Sequence, residues 1–330
     1  MFFLITPWLV ILLLVVGLVF LIFRKWKIGV VIGIISTCLN IFSKALPLNL
    51  FSKNDEGNLK VMCYNIHSSS ESFKGDTAFV DSMAQMILRE NPDVLTIEEY
   101  YVEYCGRFDS LLRKNYSYCE VLSKGTPNVV YSKYPLSDKM ELFLDSASIM
   151  NEGLEQAAKL DSNRTTESER LVMGVTLKKG KQKVRIIACH LASNQYDITR
   201  RNMSDTLEWW KGIPEYRLSY QSGSLARETE IQYTQKEIEK YKKQGMPVIV
   251  CGDMNDVSGS KTLRMLQSTG LKNAWWEKGR GFGFTYHGHH FMNFRIDHIL
   301  HTEDIKVKSI KKIDQHYSDH DPVIASFDWM

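Results

Sequence analysis

The stretch "PVIVCGDMND", Pro247–Asp256, strings four apolar residues together and closes them with a glycine and a cluster of carboxylates and a carboxamide. An uninterrupted apolar run between Pro and Gly reads as a strand buried on both faces, and the acids at its end then lie on the rim of a sheet. The same grammar recurs along the chain. "LKVMCYN" runs into Asn65, "PDVLTIEE" into Glu99, and "KVRIIACH" into His190. Further on, "FRIDHIL" carries Asp297, and "SDHDPVIASF" sets Asp319 and His320 in front of its strand. Strand ends of one packed domain converge on a common rim, so groups far apart in sequence are expected to share a cleft.

Helical patterns separate these runs. "DTAFVDSMAQMILRE" places Phe79, Met83, Met86 and Ile87 on one face, with Asp76 as N-cap. "YSYCEVL", "NVVYSKYPL" and "KMELFL" read as three strands, and "RLVMGVTLKKGKQKVRIIACHLAS" as two strands around a Lys-Lys-Gly-Lys turn. Asn151–Glu169 reads as an exposed loop, and 199–243 as helix-rich, broken at Pro214 and Gly223. About ten strands with several helices suit one large α/β domain over residues 58–330 rather than two domains. The six cysteines show no metal spacing. Cys63, Cys189 and Cys251 sit in apolar runs as small buried hydrophobes, and a Cys105–Cys119 pairing is left open.

The chain of 330 residues is 44% hydrophobic and 24% charged, but the average hides two populations. Residues 1–50 hold four of the 41 cations and no acid, which leaves 37 cations against 38 acids in the remainder. Composition therefore supplies no general basic face for gripping nucleic-acid phosphates. The run Phe2–Phe23 is apolar and long enough to cross a bilayer, for which about 20 residues suffice. A second run, Ile28–Phe42, is shorter and interrupted by Ser36, Thr37 and Asn40. Residues 1–43 are thus expected to be a membrane anchor of one or two transmembrane helices, and 44–57 a linker broken by Pro47 and Gly57. No cation precedes Arg24, which argues against a cleaved signal peptide. The basic "RKWK" loop belongs on the cytoplasmic side, which makes this an integral membrane protein with an extracytoplasmic domain.

Oxygen ligands from Asp, Glu and Asn on one rim suit Mg²⁺ or Mn²⁺, and imidazoles beside them can neutralise phosphate or move protons. A lone Asp at a strand end is ordinarily only a turn former; the ordered set changes that reading. Asn65 in "CYNIH", Glu99 in "PDVLTIEE", His190 in "CHL", Asp253 and Asn255 in "GDMND", Asp297 in "RIDHIL" and Asp319–His320 in "SDHDPV", together with "YSKYPL", resemble the endonuclease/exonuclease/phosphatase (deoxyribonuclease I-like) superfamily from about Leu59 to Phe327. The resemblance implies an α/β four-layer sandwich, two packed mixed β-sheets flanked by helices. It also implies roles. Glu99 becomes the main metal ligand, with Asn65 and Asp319 nearby. Asp253 orients or deprotonates the attacking water, Asn255 helps hold phosphate, and His190 bonds a phosphate oxygen. His320, oriented by Asp297, stabilises developing charge or shuttles a proton. The choice of general base between Asp253 and His320 stays open.

Two positions depart from the family's usual pattern. Glu98 stands where Gln is common and is expected to add charge near the cation, and His298 stands where an aromatic residue is common. "GRGFGFTYHG" fails as a phosphate loop because it lacks the Gly-Lys-Ser/Thr ending. His289 and Arg170 are expected to contact substrate. The expected activity is a membrane-anchored, Mg²⁺-dependent phosphoester hydrolase acting on a lipid headgroup or small phosphoester. The alternatives are a nuclease, which the even charge balance does not favour, and a non-catalytic membrane-tethered binding module.

Overall fold

Alternate residues of strand β1 (Leu59–Asn65) enter two different cores: Val61 and Cys63 one, Met62 and Tyr64 the other. A strand covered on both faces has no solvent side, which is why its sequence lacks a polar alternation. The computed structural model describes residues 2–49, 55–122, 128–142, 172–194, 213–288 and 293–330. After the N-terminal helices α1 (Phe2–Ile22) and α2 (Trp26–Ser43) and strand β1 come α3 (Glu71–Gly75), α4 (Thr77–Glu90), β2 (Val94–Glu98), α5 (Gly106–Leu112), β3 (Tyr118–Val121) and β4 (Val129–Ser132). Then follow β5 (Leu136–Leu142), β6 (Val172–Lys179), β7 (Gln182–His190), α6 (Ile213–Lys243), β8 (Val248–Asp253), α7 (Lys261–Ser268), β9 (Lys272–Asn273) and α8 (Ala274–Lys278). The chain closes with β10 (Tyr286–His287), β11 (Asn293–Phe294), β12 (Asp297–His301), β13 (Ile305–Lys312) and β14 (Val323–Trp329).

Two mixed sheets form, in the orders β13-β14-β1-β2-β4-β3 and β5-β6-β7-β8-β12-β9. Val94, Val130, Val175, Ile186 and Ile249 pack between them. Outside the first sheet, Met83 and Ile87 of α4 and Phe108 and Leu112 of α5 cover Leu95 and Ile97. Outside the second, Ile231 and Ile238 of α6 and Leu263 and Leu266 of α7 cover Ile187, Val248 and Val250. The result is the expected two packed sheets flanked by helices. Each sheet has one central parallel pair, β1 with β2 and β7 with β8, and these register Asn65 opposite Glu98 and His190 opposite Asp253. Antiparallel β12 then brings Asp297 opposite Asp253. The polar strand ends therefore share one rim for topological reasons.

Local readings hold or shift for identifiable causes. Asp76 caps α4, its Oδ1 accepting from the backbone N–H groups of Ala78 and Phe79 at 2.9 and 3.1 Å. The Lys-Lys-Gly-Lys turn joins β6 to β7, with Gly180 at φ +63°. "NVVYSKYPL" is not one strand. β4 ends at Ser132, Ser132 Oγ accepts from Tyr134 N at 3.0 Å, and β5 begins at Leu136 in the other sheet. The family-like "YSKYPL" is thus the crossover between sheets. Gly223 does not break the helix; α6 runs through it, and the glycine serves close packing instead, since a Cβ there would lie 2.6 Å from Asn194 Oδ1. All six cysteines are free, so Cys105 and Cys119 do not pair. The expected loop 151–169 lies outside the described residues.

At the N-terminus, α1 and α2 pack as a hairpin, with Ser36 Oγ donating to Val10 O at 3.3 Å. Leu12, Val15, Leu18, Ile34 and Ile35 of this hairpin are each more than half exposed, at 53–58%. Counting only described side chains (Thr6 and Trp8–Ile22 in α1), no helix is long and apolar enough to cross a membrane. The transmembrane expectation for residues 1–43 is therefore not carried by the described residues. The following segment is held on the domain. Arg295 Nη2 donates to Lys44 O at 3.2 Å, Gly281 N to Pro47 O at 3.2 Å, and Asn49 Nδ2 to Gly279 O at 2.8 Å. Trp8 stacks on Phe284 with ring centroids 5.5 Å apart.

Candidate active site

A polar group at the end of a buried strand has no neighbour on its own element to satisfy it, so it must find partners on adjacent strand ends. Asn65 does so twice: its Nδ2 donates to Glu99 Oε1 at 3.1 Å and lies 3.4 Å from Asp253 Oδ2, across the gap between the sheets. His190 Nε2 sits 3.8 Å from both Glu99 Oε1 and Asp253 Oδ2. On the other side, His320 Nε2 is also 3.8 Å from Asp253 Oδ2, while its Nδ1 meets Asp297 Oδ2 at 2.9 Å. Asp253 is thus the hub. Its carboxylate is held by the backbone N–H of Asn255 at 2.8 Å and by Asn255 Nδ2 at 3.2 Å.

Backbone shape aims these groups. Glu99 and Asn255 occupy the left-handed region at φ +54° and +49°, an uncommon state for residues other than glycine. Each turns the chain sharply just past a strand, so the side chain points into the cleft instead of along the strand. Gly252 is required for a different reason. At φ +125° a Cβ there would lie 2.2 Å from Cys189 O and 2.7 Å from Glu98 Oε1.

The electrostatics separate an acceptor from a donor. Burial pushes the Asp253 carboxyl up to about 7; the nearby His320 opposes this and Asp297 adds to it. Burial works against charge on His320, yet Asp297 and Asp253 together hold its imidazole well above the ordinary range. Burial also tends to raise Asp319, but the His67 hydrogen bond and His320 bring it down to about 2. His67 Nδ1 stands 3.4 Å from Asp319 Oδ1.

Two groups of side chains on this rim offer ligands to a divalent ion. One ligand atom each from Asp253, Asp297 and His320 lie within 4.8 Å of one another. That trio, however, contains an imidazole already hydrogen-bonded to Asp297 and favoured in its cationic form, so an ion there would have to displace a proton. Glu99, Asn65 and Asp319 offer oxygen atoms, and the Glu99 side chain is 25% exposed against 2% for Asp253. A hard cation fits this second set better.

The expected residues Asn65, Glu99, His190, Asp253, Asn255, Asp297 and His320 are therefore brought together, with Asp319 on the same rim facing His67. Asn255 Nδ2 is occupied in this structure by Leu191 O at 2.9 Å and by Asp253. Arg170 and His289 lie outside the described residues. Glu98 corrects its expectation. It lies fully buried between the sheets, accepting from Thr96 Oγ1 at 3.3 Å, and burial, with Asp297 and Asp253 nearby, raises its pKa well above the usual range. Burial thus favours its protonated, uncharged form. His298 is buried too, with Nε2 3.0 Å from Asp256 O.

Sequence reading missed several supports. Thr285 Oγ1 accepts from the backbone N–H groups of Ile296 and Asp297, both at 3.1 Å. Buried Arg227 donates to Ala192 O at 2.6 Å and Asn194 Oδ1 at 3.0 Å, steadying the turns after His190 and Asp253. An arginine within a charged helical stretch carries no mark that its face is buried. His67 stood in the quoted "CYNIH", so its place beside Asn65 was the available signal.

A model described as "Endonuclease/Exonuclease/phosphatase family" matches residues 62–320. No curated protein matches the chain in sequence. Among solved structures, a functionally unknown conserved protein from Enterococcus faecalis aligns over 82% of this chain and 100% of its own at 14% identity and a TM-score of 0.58. The human Nocturnin catalytic domain with bound sulfate aligns over 83% and 94% at 15% identity and 0.56. D. rerio TDP2 complexed with single-strand DNA product aligns over 82% and 98% at 12% identity and 0.56. At these identities the likeness is one of fold.

Proposed function

Because the chain belongs to the endonuclease/exonuclease/phosphatase family, we propose that it is a metal-dependent phosphoester hydrolase, tethered to a membrane by its N-terminal hairpin. One observation carries this reading: carboxylates, carboxamides and imidazoles from the ends of β1, β2, β7, β8, β12 and the turn before β14 meet around Asp253. Asp297 and Asp253 favour the cationic form of His320, which donates, and in this reading Asp253 takes the proton from an attacking water. Asp297 fixes the His320 ring through Nδ1 and leaves Nε2 facing the cleft, where its proton can meet charge developing on a phosphoryl oxygen. Asn255 holds the Asp253 carboxylate in orientation. Glu99, with Asn65 and Asp319, would hold Mg²⁺ or Mn²⁺, which supplies Lewis-acid polarisation of the phosphoryl group.

The membrane reading rests on the uncharged 21-residue α1 and on the hairpin's exposed Leu, Ile and Val side chains. With the basic Arg24–Lys27 loop at the far end of the hairpin, the domain faces away from the cytoplasm. Such placement favours a lipid headgroup or small phosphoester. A nuclease is the second reading, favoured by the single-strand DNA product held by D. rerio TDP2. The test is turnover by the full chain in neutral detergent, with Mg²⁺ and with chelator, on a bis-aryl phosphate, phospholipids, inositol phosphates and plasmid DNA. Mg²⁺-dependent cleavage of the small esters or lipids supports the proposal, and cleavage of DNA alone replaces it with the second reading. No turnover on any of them identifies a binding module. Carbonate extraction of membranes and protease shaving of permeabilised cells check anchoring and orientation. Release by carbonate would remove the anchor.

A further inference from the structure

Among the described residues, one of the large cavities lies outside the proposed catalytic cleft. It has a volume of about 530 Å³ and opens between α8, the 280–284 loop and the outer strand β13. Lys278, Arg280, Lys311 and Lys312 line it together with Phe282 and Phe284, and no carboxylate is among the described residues of the lining. Acids stand just behind it: Glu90 pairs with Lys311 at 2.7 Å, and Asp314 and Asp321 with Lys312 at 2.5 and 2.6 Å. The Lys311 side chain is nonetheless 57% exposed. None of Asn65, Glu99, His190, Asp253, Asp297 or His320 reaches this cavity, so it is distinct from the catalytic cleft.

Its walls differ in chemistry. One is cationic; the other is aromatic and continuous with the N-terminal hairpin. Phe282 and Phe284 stack at 5.3 Å and 5°, and Phe284 stacks in turn on Trp8 of α1 at 5.5 Å and 22°. Arg280 is bridged to Leu48 in the segment that follows α2. A ligand that satisfies both walls has an anionic head and an apolar body that can run along Trp8 towards the exposed aliphatic side chains of the hairpin. A lipid phosphodiester has that form, and basic side chains are a recurrent means of holding anionic headgroups.

We propose that this cavity binds the headgroup of an anionic phospholipid as a site separate from the catalytic one, an inference that rests on the membrane reading of the hairpin. The cavity also touches the catalytic turn. His287 lines it, donates its backbone N–H to Asp319 O at 2.8 Å and places Nε2 2.6 Å from Asp321 Oδ2.

The test uses the full chain in dodecyl maltoside micelles with chelator, titrated calorimetrically with dihexanoyl phosphatidylglycerol, dihexanoyl phosphatidylcholine and inorganic phosphate. The expected result is saturable binding of phosphatidylglycerol, with the other two weaker by about tenfold or more, and a loss of about tenfold in the Lys278→Ala/Lys311→Ala variant. That variant is expected to keep wild-type turnover of a bis-aryl phosphate in micelles without anionic lipid, which shows that it is folded. Equal binding of inorganic phosphate, lost in the variant, would assign the cavity to a soluble anion and overturn the proposal. Absent phosphatidylglycerol binding, or binding that the variant leaves unchanged, would overturn it too. Short-chain lipid in micelles requires no bilayer insertion, so this result stands apart from failure of the anchor in carbonate extraction.

Discussion

Asp253 inverts the ordinary behaviour of an aspartate: burial raises its carboxyl to about 7. A base that must be ionised to act makes the rate climb with pH, so kcat/KM is expected to rise through pH ~7 to a plateau. Asp253→Asn should lower phosphoester turnover by about 10²–10⁴-fold without lowering the unfolding midpoint, because it removes the acceptor and relieves a buried charge. Glu98 is the contrasting acid on the same strand ends. Burial favours its protonated form, which Gln mimics in shape, so Glu98→Gln should leave turnover and stability within about twofold. A large loss in that variant would mean that Glu98 carries charge after all. His298 links pH to stability. Burial, with Arg295 nearby, lowers its pKa to about 3, whereas an unfolded histidine titrates near 6.5. Below pH ~6.5 the unfolded chain takes up a proton that the native one refuses, so stability falls with acidity by about 1.4 kcal/mol per pH unit down to ~3. Chemical denaturation across that window should show a shallower slope for His298→Gln, which retains a donor for Asp256 O.

At the scale of elements, the strand β8 and its following turn do more than carry Asp253. Gly252 lets the chain pass beside Cys189 and Glu98 in a backbone state that other residues enter only under strain. Gly252→Ala should cost about 2–5 kcal/mol, read as a fall in the denaturant midpoint, with turnover of the folded fraction also reduced as the Asp253 turn shifts. The buried strands were plain in the sequence, since continuous apolar runs such as VIVC and RIIAC have few other uses. Helix α4 and its Asp76 cap were equally plain. The sheet change inside "NVVYSKYPL" was not, because a strand that leaves one sheet and a strand that enters another have the same local composition. The passage of α6 through Gly223 was hidden likewise: a glycine chosen for close approach to Asn194 looks, in sequence, like a helix breaker.

Over the whole molecule, two parallel strand pairs, one per sheet, deliver their carboxyl ends to a single rim, and the hairpin base lies against the cationic cavity beside it. Chelation should abolish turnover while leaving the unfolding transition nearly in place, since the ligand side chains Glu99, Asn65 and Asp319 lie on the rim, outside the hydrophobic cluster packed between the sheets; a collapse of the fold on chelation would make the metal structural. The amino-acid sequence by itself determined the buried strands, the residue types at their ends and their family-like order, because apolar continuity and terminal polarity are local properties of a chain. Tertiary structure alone decided that Asn65, His190 and His320 all face Asp253, that Glu98 is buried, that Arg227 steadies the rim and that Trp8 meets Phe284. Those facts depend on which surfaces exclude water together, and solvent exclusion is a property of the assembled layers that no single stretch of sequence possesses.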